Sequence, residues 1–192
     1  GKNVLIGAKQ KSLLGLDITT SSVKLVELAQ SGGQFRVESY SAEPTPPNSV
    51  NEKAIVDAEA VGEAVRRAVK RSGAKSREAA VAISVDAAIT KVIQLPSSLS
   101  EADLEGQVEL QADQYIPFPM EEVSYDFEVI GPSVKDPDTR DVLLVASRTE
   151  NVEQRQAAVE AAGLVAKVVD VESFALENAC LLLTHQMPDG GI

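Results

Sequence analysis

The stretch LLGLDITTSSVKLVEL, residues 13–28, sets two strand-forming runs on either side of four hydroxyl residues. A hairpin of this kind commits the chain to a sheet from the outset, because its apolar residues need layers to cover them. Its turn is unusual. Asn-Gly would close a plain hairpin better, whereas here Asp17 sits at the mouth of the turn and Lys24 lies seven residues on. On residue types alone the turn supports two readings. In one, Thr19, Thr20, Ser21 and Ser22 are ordinary turn residues with local side-chain-to-backbone bonds. In the other, amides and hydroxyls cradle a phosphate. Asp17 then holds waters of a Mg²⁺ ion and Lys24 gives a point charge to the same oxygens. Neither Walker spacing nor a following helix is present, so this is no P-loop.

The remaining elements follow from periodicity and punctuation. Strands are expected over Ser12–Ile18 and Val23–Ala29, with Ser31-Gly32-Gly33 turning into a third, in which Phe35, Val37 and Ser39 face one way and Arg36, Glu38 and Tyr40 the other. Prolines mark 44–49 as a loop. A helix over about 58–72 carries Val61, Ala64, Val65, Ala68 and Val69 on one side, and Gly73 stops it. A strand over Glu78–Val85 follows.

The middle changes character. Thr90–Pro96 reads as a strand, and Ser100 caps a helix with the stripe Leu104, Val108, Gln111, Ala112 and Tyr115, ended by Pro117. Alternating strands over Glu122–Ile130 and Arg140–Arg148 follow. Thr149 caps another helix that stops at Gly163, then come a strand over Leu164–Val171 and a helix over Ser173–Thr184 that is apolar nearly all round and so buried.

Bulk properties exclude several function classes. With 44% hydrophobic and 24% charged residues the chain is globular in composition, and a formal net charge of −11 lacks the basic footprint of nucleic-acid binding. The basic cluster Arg66, Arg67, Lys70 and Arg71 falls on the last turns of a helix, where cations complement the dipole, so a solvated face is the better reading. Cys180 lies in an apolar run and His185 has no partners at metal-ligand spacing, which argues against a thiol nucleophile and a zinc site. No apolar run reaches the roughly 20 residues of a membrane span, and "VLIGA" is too short for a signal peptide. A cytoplasmic setting is expected.

The order of elements resembles the first lobe of the actin/Hsp70-type ATPase fold, and the spacing of Asp17 and Lys24 resembles that of actin. Within that superfamily LLGLDITTSSVKLVEL, QADQYIPFPMEEVSYDFEVI, VLLVASRTENVEQRQAAVEAAGL and VVDVESFALENAC resemble PilM, the actin-like family of type IV pilus assembly. The resemblance implies an α/β, ribonuclease-H-like lobe: subdomain 1A over 12–89 and 149–187, and an inserted strand-helix-strand-strand subdomain, 1C, over 90–148. Residues 1–11 match poorly, and 188–192 are expected to be a linker stub to a second lobe.

It also implies function. PilM-like proteins bind ATP with Mg between two lobes and hold the cytoplasmic tail of PilN, an inner-membrane protein, between the main and inserted subdomains. Matched by motif, Asp17, Thr19, Thr20, Ser21, Ser22 and Lys24 form the first phosphate site. Glu172 either faces the γ-phosphate or is a plain helix N-terminal acid. Tyr115, Ile116, Phe118 and Met120 either line the tail groove or pack the insert against the main subdomain. The turn lacks the glycine of Hsp70 and FtsA. The second phosphate hairpin and adenine pocket belong to a lobe beyond Ile192, so these residues are expected not to hydrolyse ATP and to bind it weakly at best. The implied setting is the inner face of a Gram-negative inner membrane, with contacts to PilN and to pilus motor ATPases, self-association, and membrane only through PilN. Rival readings are a lobe like FtsA or a secretion-system L protein, or one of an active ATPase or kinase. The Gln-Tyr-Ile-Pro-Phe-Pro run at 114–119 separates the first of these. The enzyme reading needs an acidic base and a partner lobe.

Overall fold

A computed structural model describes residues 11–31, 34–51, 54–81 and 88–167. Two sheets organise them. The larger runs β3-β2-β1-β4-β8, formed by β1 (Lys11–Ile18), β2 (Ser22–Ser31), β3 (Gln34–Pro44), β4 (Glu78–Val81) and β8 (Val165–Lys167). The first three strands are antiparallel, while β4 joins β1, and β8 joins β4, in parallel. Parallel neighbours need a crossover, and α1 (Ala58–Ser72) and α3 (Thr149–Ala161) lie on the connections. The smaller sheet runs β5-β7-β6, from β5 (Ala88–Pro96), β6 (Val123–Pro132) and β7 (Thr139–Arg148), with α2 (Glu101–Tyr115) between β5 and β6 in sequence.

Each sheet has its own core. Leu14, Leu16, Val23 and Leu25 meet Val61, Ala64, Val65 and Ala68 of α1 and Ala158 and Val159 of α3. Burying each of these valines and leucines is worth roughly 1.5–3 kcal/mol. Leu13, Val26, Leu28 and Ala80 turn to the opposite sheet face, with Tyr40 against them. In the smaller unit Leu104, Val108, Ala112 and Ile116 pack on Ile93, Leu95, Val142, Leu144 and Ala146. The helix ends follow local chemistry. Asp57 accepts the Ala60 amide at 2.9 Å, Ser100 accepts that of Asp103 at 3.2 Å, and Gly73 takes the left-handed conformation, φ 70°, that closes α1.

Three expectations need correction. The even alternation of the third strand is broken by a bulge: Glu27 pairs with Ser39 and Leu28 with Val37, so Glu38 is an extra residue. Val37 therefore shares a face with Tyr40, opposite Val26, and Ser39 joins the helix-facing side. Thr149 is not a cap but the first residue of α3; Arg148 holds the N-cap position and the Thr149 hydroxyl meets Ser124 Oγ at 2.9 Å. The α2 stripe passes from Ala112 to Ile116, four residues on, and leaves Tyr115 41% exposed. The expectations for residues 82–87, for the strand beyond Lys167, for a helix over 173–184, and for Glu172, Cys180 and His185 fall outside the described residues.

Candidate functional site

The β1–β2 register sets Asp17 directly opposite Lys24, with Ile18 opposite Val23. Alternation puts both on the face of Leu13 and Val26, away from α1 and α3. Both residues have interactions within the protein. The turn beyond them is internally bonded. Thr19 Oγ1 accepts the amides of Ser21 and Ser22 at 3.3 and 3.1 Å, and the Thr19 amide donates to the Ser22 carbonyl at 2.9 Å. The exit of β3 braces it: Thr45 donates its amide to the Ser21 carbonyl at 3.1 Å and its hydroxyl to the Thr19 carbonyl at 2.8 Å. Thr20 and Ser21 are exposed. The arrangement has both features weighed from sequence, local hydroxyl-to-amide bonds and an outward hydroxyl edge. A phosphate oxygen reaching the Ser21 and Ser22 amides has to replace Thr19 Oγ1.

The donor types suit phosphate and a hard cation, with one carboxylate, several hydroxyls and one ammonium. Among the described residues, no three His, Cys, Asp or Glu side chains gather as a metal-binding group.

The segment after α2 divides in two. Ile116 is 5% exposed and lies in the smaller core, against which Met120 also packs. Tyr115 and Phe118 face outward, 41% and 37% exposed, and each carries a cation on its ring. Lys91 Nζ stands 3.6 Å from the Tyr115 centroid, and the Arg148 guanidinium 5.2 Å from that of Phe118. Both distances fall within cation–π range. Arg148 also reaches Glu122 at 3.4 Å. Beside Tyr115, β5 is an edge of its sheet among the described strands, and Val92 on it is 51% exposed. An edge strand beside exposed aromatic rings is a surface on which an extended chain can pair and anchor.

Sequence reasoning missed Lys91 and Arg148, because nothing in the order of residues shows which cation reaches which ring. It also missed Glu27. That carboxylate, 5% exposed, accepts the Ser76 amide at 2.9 Å, the Lys75 amide at 3.2 Å and the Ser39 hydroxyl at 3.2 Å, tying the segment after α1 to the sheet. An acid inside the apolar run Leu25–Leu28 was the available signal. Gly62 was missed too: a Cβ there would lie 2.6 Å from Ala161 Cβ and 2.9 Å from the Ala158 carbonyl, so only glycine lets α1 and α3 approach so closely.

An antiparallel three-strand meander leading through a helix to a parallel strand, with a second small sheet set between that strand and the next helix, defines an actin-like lobe. Residues 15–192 match the family described as type IV pilus assembly protein PilM. The chain is similar to one from a solved PilM-PilN type IV pilus biogenesis complex, at 31% identity and a TM-score of 0.69, over 92% of this chain and 52% of that one. It thus spans about half the length of that relative. A fainter likeness, 17% identity and a TM-score of 0.48, covers 83% of this chain and 57% of the cytoplasmic domain of EpsL, an inner membrane component of the type II secretion system of Vibrio cholerae. The chain belongs to the PilM family.

Proposed function

We propose that these residues act in type IV pilus assembly as the first lobe of a cytoplasmic scaffold at the inner face of the inner membrane, holding the N-terminal cytoplasmic tail of PilN. The observation that carries this reading is the likeness, at 31% identity over 92% of the chain, to a chain from a PilM-PilN complex. The geometry supports it. The tail lies extended along β5, its backbone pairing with that edge and its apolar side chains seated on Tyr115 and Phe118. Lys91 and Arg148 keep those rings oriented. Ile116 and Met120 support them from the core side. Fluorescence anisotropy with a labelled synthetic PilN tail tests it: saturable binding to the 192-residue chain is expected, and a scrambled peptide binding equally well overturns it.

The hydroxyl turn contributes the first phosphate contacts of an ATP site completed elsewhere. Asp17 orients water, the hydroxyls of Thr20 and Ser21 meet phosphate oxygens, and Lys24 adds charge. Bound magnesium supplies the positive charge that offsets the phosphates. A half-site gives neither the charge neutralisation nor the water exclusion of phosphoryl transfer. No turnover by these residues is therefore expected, and isothermal titration with Mg-ATP should show no micromolar binding.

A further inference from the structure

Six of the chain's 18 Lys and Arg residues fall within 66–77, against a net charge of −11. The fold separates them. Arg67 and Arg71 turn to Glu43, at 3.7 and 3.3 Å. Arg66 instead bridges helices, pairing with Glu63 and donating to the Ala161 carbonyl on α3. Together with Lys70 and Arg77 it lines a cleft of about 480 Å³ between the ends of α1 and α3. Val69, Ala74 and Leu164 give that cleft apolar walls, and none of its lining residues is acidic.

The helix dipole accounts for Lys70, which lies in the last turn of α1. It does not account for Arg77, which follows the left-handed Gly73 stop and stands just before β4. Arg66 is thus already joined to an acid, whereas Lys70 and Arg77 stand exposed at the recess with no carboxylate partner among the described residues, and are open to an anion. The cleft is also remote from the hydroxyl turn. It opens where β4 and β8 begin, and because β4 runs parallel to β1, the turn at the far end of β1 lies at the opposite end of the sheet.

We infer that this cleft binds a phosphate-bearing amphiphile, with the phosphate between Lys70 and Arg77 and the apolar part against Val69, Ala74 and Leu164. Guanidinium groups suit phosphate because their fork of donors matches two of its oxygens. The phosphate comes either from an anionic phospholipid headgroup or from a soluble organic phosphate ester.

Sedimentation with vesicles distinguishes the sources. The 192-residue chain is expected to pellet with equal parts phosphatidylglycerol and phosphatidylcholine, and to stay in solution with phosphatidylcholine alone. The Lys70→Ala/Arg77→Ala variant should bind the anionic vesicles roughly 25-fold more weakly, at about fivefold per cation near such a surface. Arg71→Ala, whose guanidinium already has Glu43, should match the parent chain, and circular dichroism melts confirm that all variants fold. A parallel NMR titration with glycerol 3-phosphate decides the source: saturable shifts around Arg77, abolished in the double variant, assign a soluble ester, and their absence alongside vesicle binding assigns the lipid. Binding to neither probe overturns the inference, as does equal loss in Arg71→Ala and the double variant.

Discussion

The two candidate regions meet the same problem, presenting polar and aromatic groups at a surface, in opposite ways. The hydroxyl turn after β1 is closed on itself: Thr19 Oγ1 fills the place at the Ser21 and Ser22 amides that an anion would take. The end of α2 and the segment after it are open: Tyr115 and Phe118 turn their rings outward while Ile116 and Met120 anchor the same six residues from beneath. A closed turn binds only by exchange, one hydrogen bond lost for each gained, so its net affinity is modest. An open aromatic surface gains apolar burial with no amide hydrogen bond to give up, although Lys91 and Arg148 already sit over its two rings. On the proposed reading, the contrast is why tail binding is expected of this lobe alone, whereas phosphate binding at the turn is expected to need a second wall.

Four measurements break or sharpen that contrast. The largest effect is expected at the anchor. Ile116→Ala should lower the unfolding free energy by about 2–5 kcal/mol, as for other buried large-to-small changes, seen as an earlier urea midpoint. Phe118→Ala should weaken the PilN tail at least roughly tenfold, as for an aromatic contact residue, with the melting temperature almost unchanged. Equal loss of affinity and stability there would make Phe118 a packing residue. Thr19→Val removes the acceptor for two amides, and should cost about 1 kcal/mol, the usual worth of such a bond; no change in denaturant midpoint would mean the turn is not held by that hydroxyl.

The smallest effect concerns Tyr125, which packs on the smaller core beneath α2. Burial, then Glu109, then Glu105 raise its phenol above the ordinary value of 10.0. The folded state thus favours the neutral form. Its contribution is full below pH 10 and is lost as the pH rises through the higher folded value. Tyr125→Phe should therefore show a shallower loss of stability at alkaline pH than the parent, and identical slopes would remove Tyr125 from the account.

Much of the fold was legible in the sequence. The bounds of α1, its Gly73 stop and the Ser100 cap follow from rules that act within a few residues. The misreadings arise where two elements meet. The bulge at Glu38 is invisible because the sequence on either side still alternates, and only the partner strand reveals that one residue is surplus. Thr149 has the chemistry of a cap, but β7 runs so far that Arg148 takes the position first. The candidate site shows the same limit. Asp17, Lys24 and the hydroxyls stand out by type and spacing, and their mutual placement in a hairpin follows from the chain itself. Tyr115 and Phe118 could be picked out as apolar residues near prolines, yet their separation from Ile116 and Met120 depends on which side of α2 meets the sheet. Their cations arrive from β5 and from the end of β7, 24 and 30 residues away in sequence.

β7 ends at Arg148 and α3 starts at Thr149, with no residue between them to act as a slack joint. The far end of α3 is held in turn against α1 at Gly62, where there is no space for even one added carbon. The small sheet and the helix layer of the larger one are thus joined through α3 without an intervening loop, and the helix layer is packed at Gly62 with no room to spare.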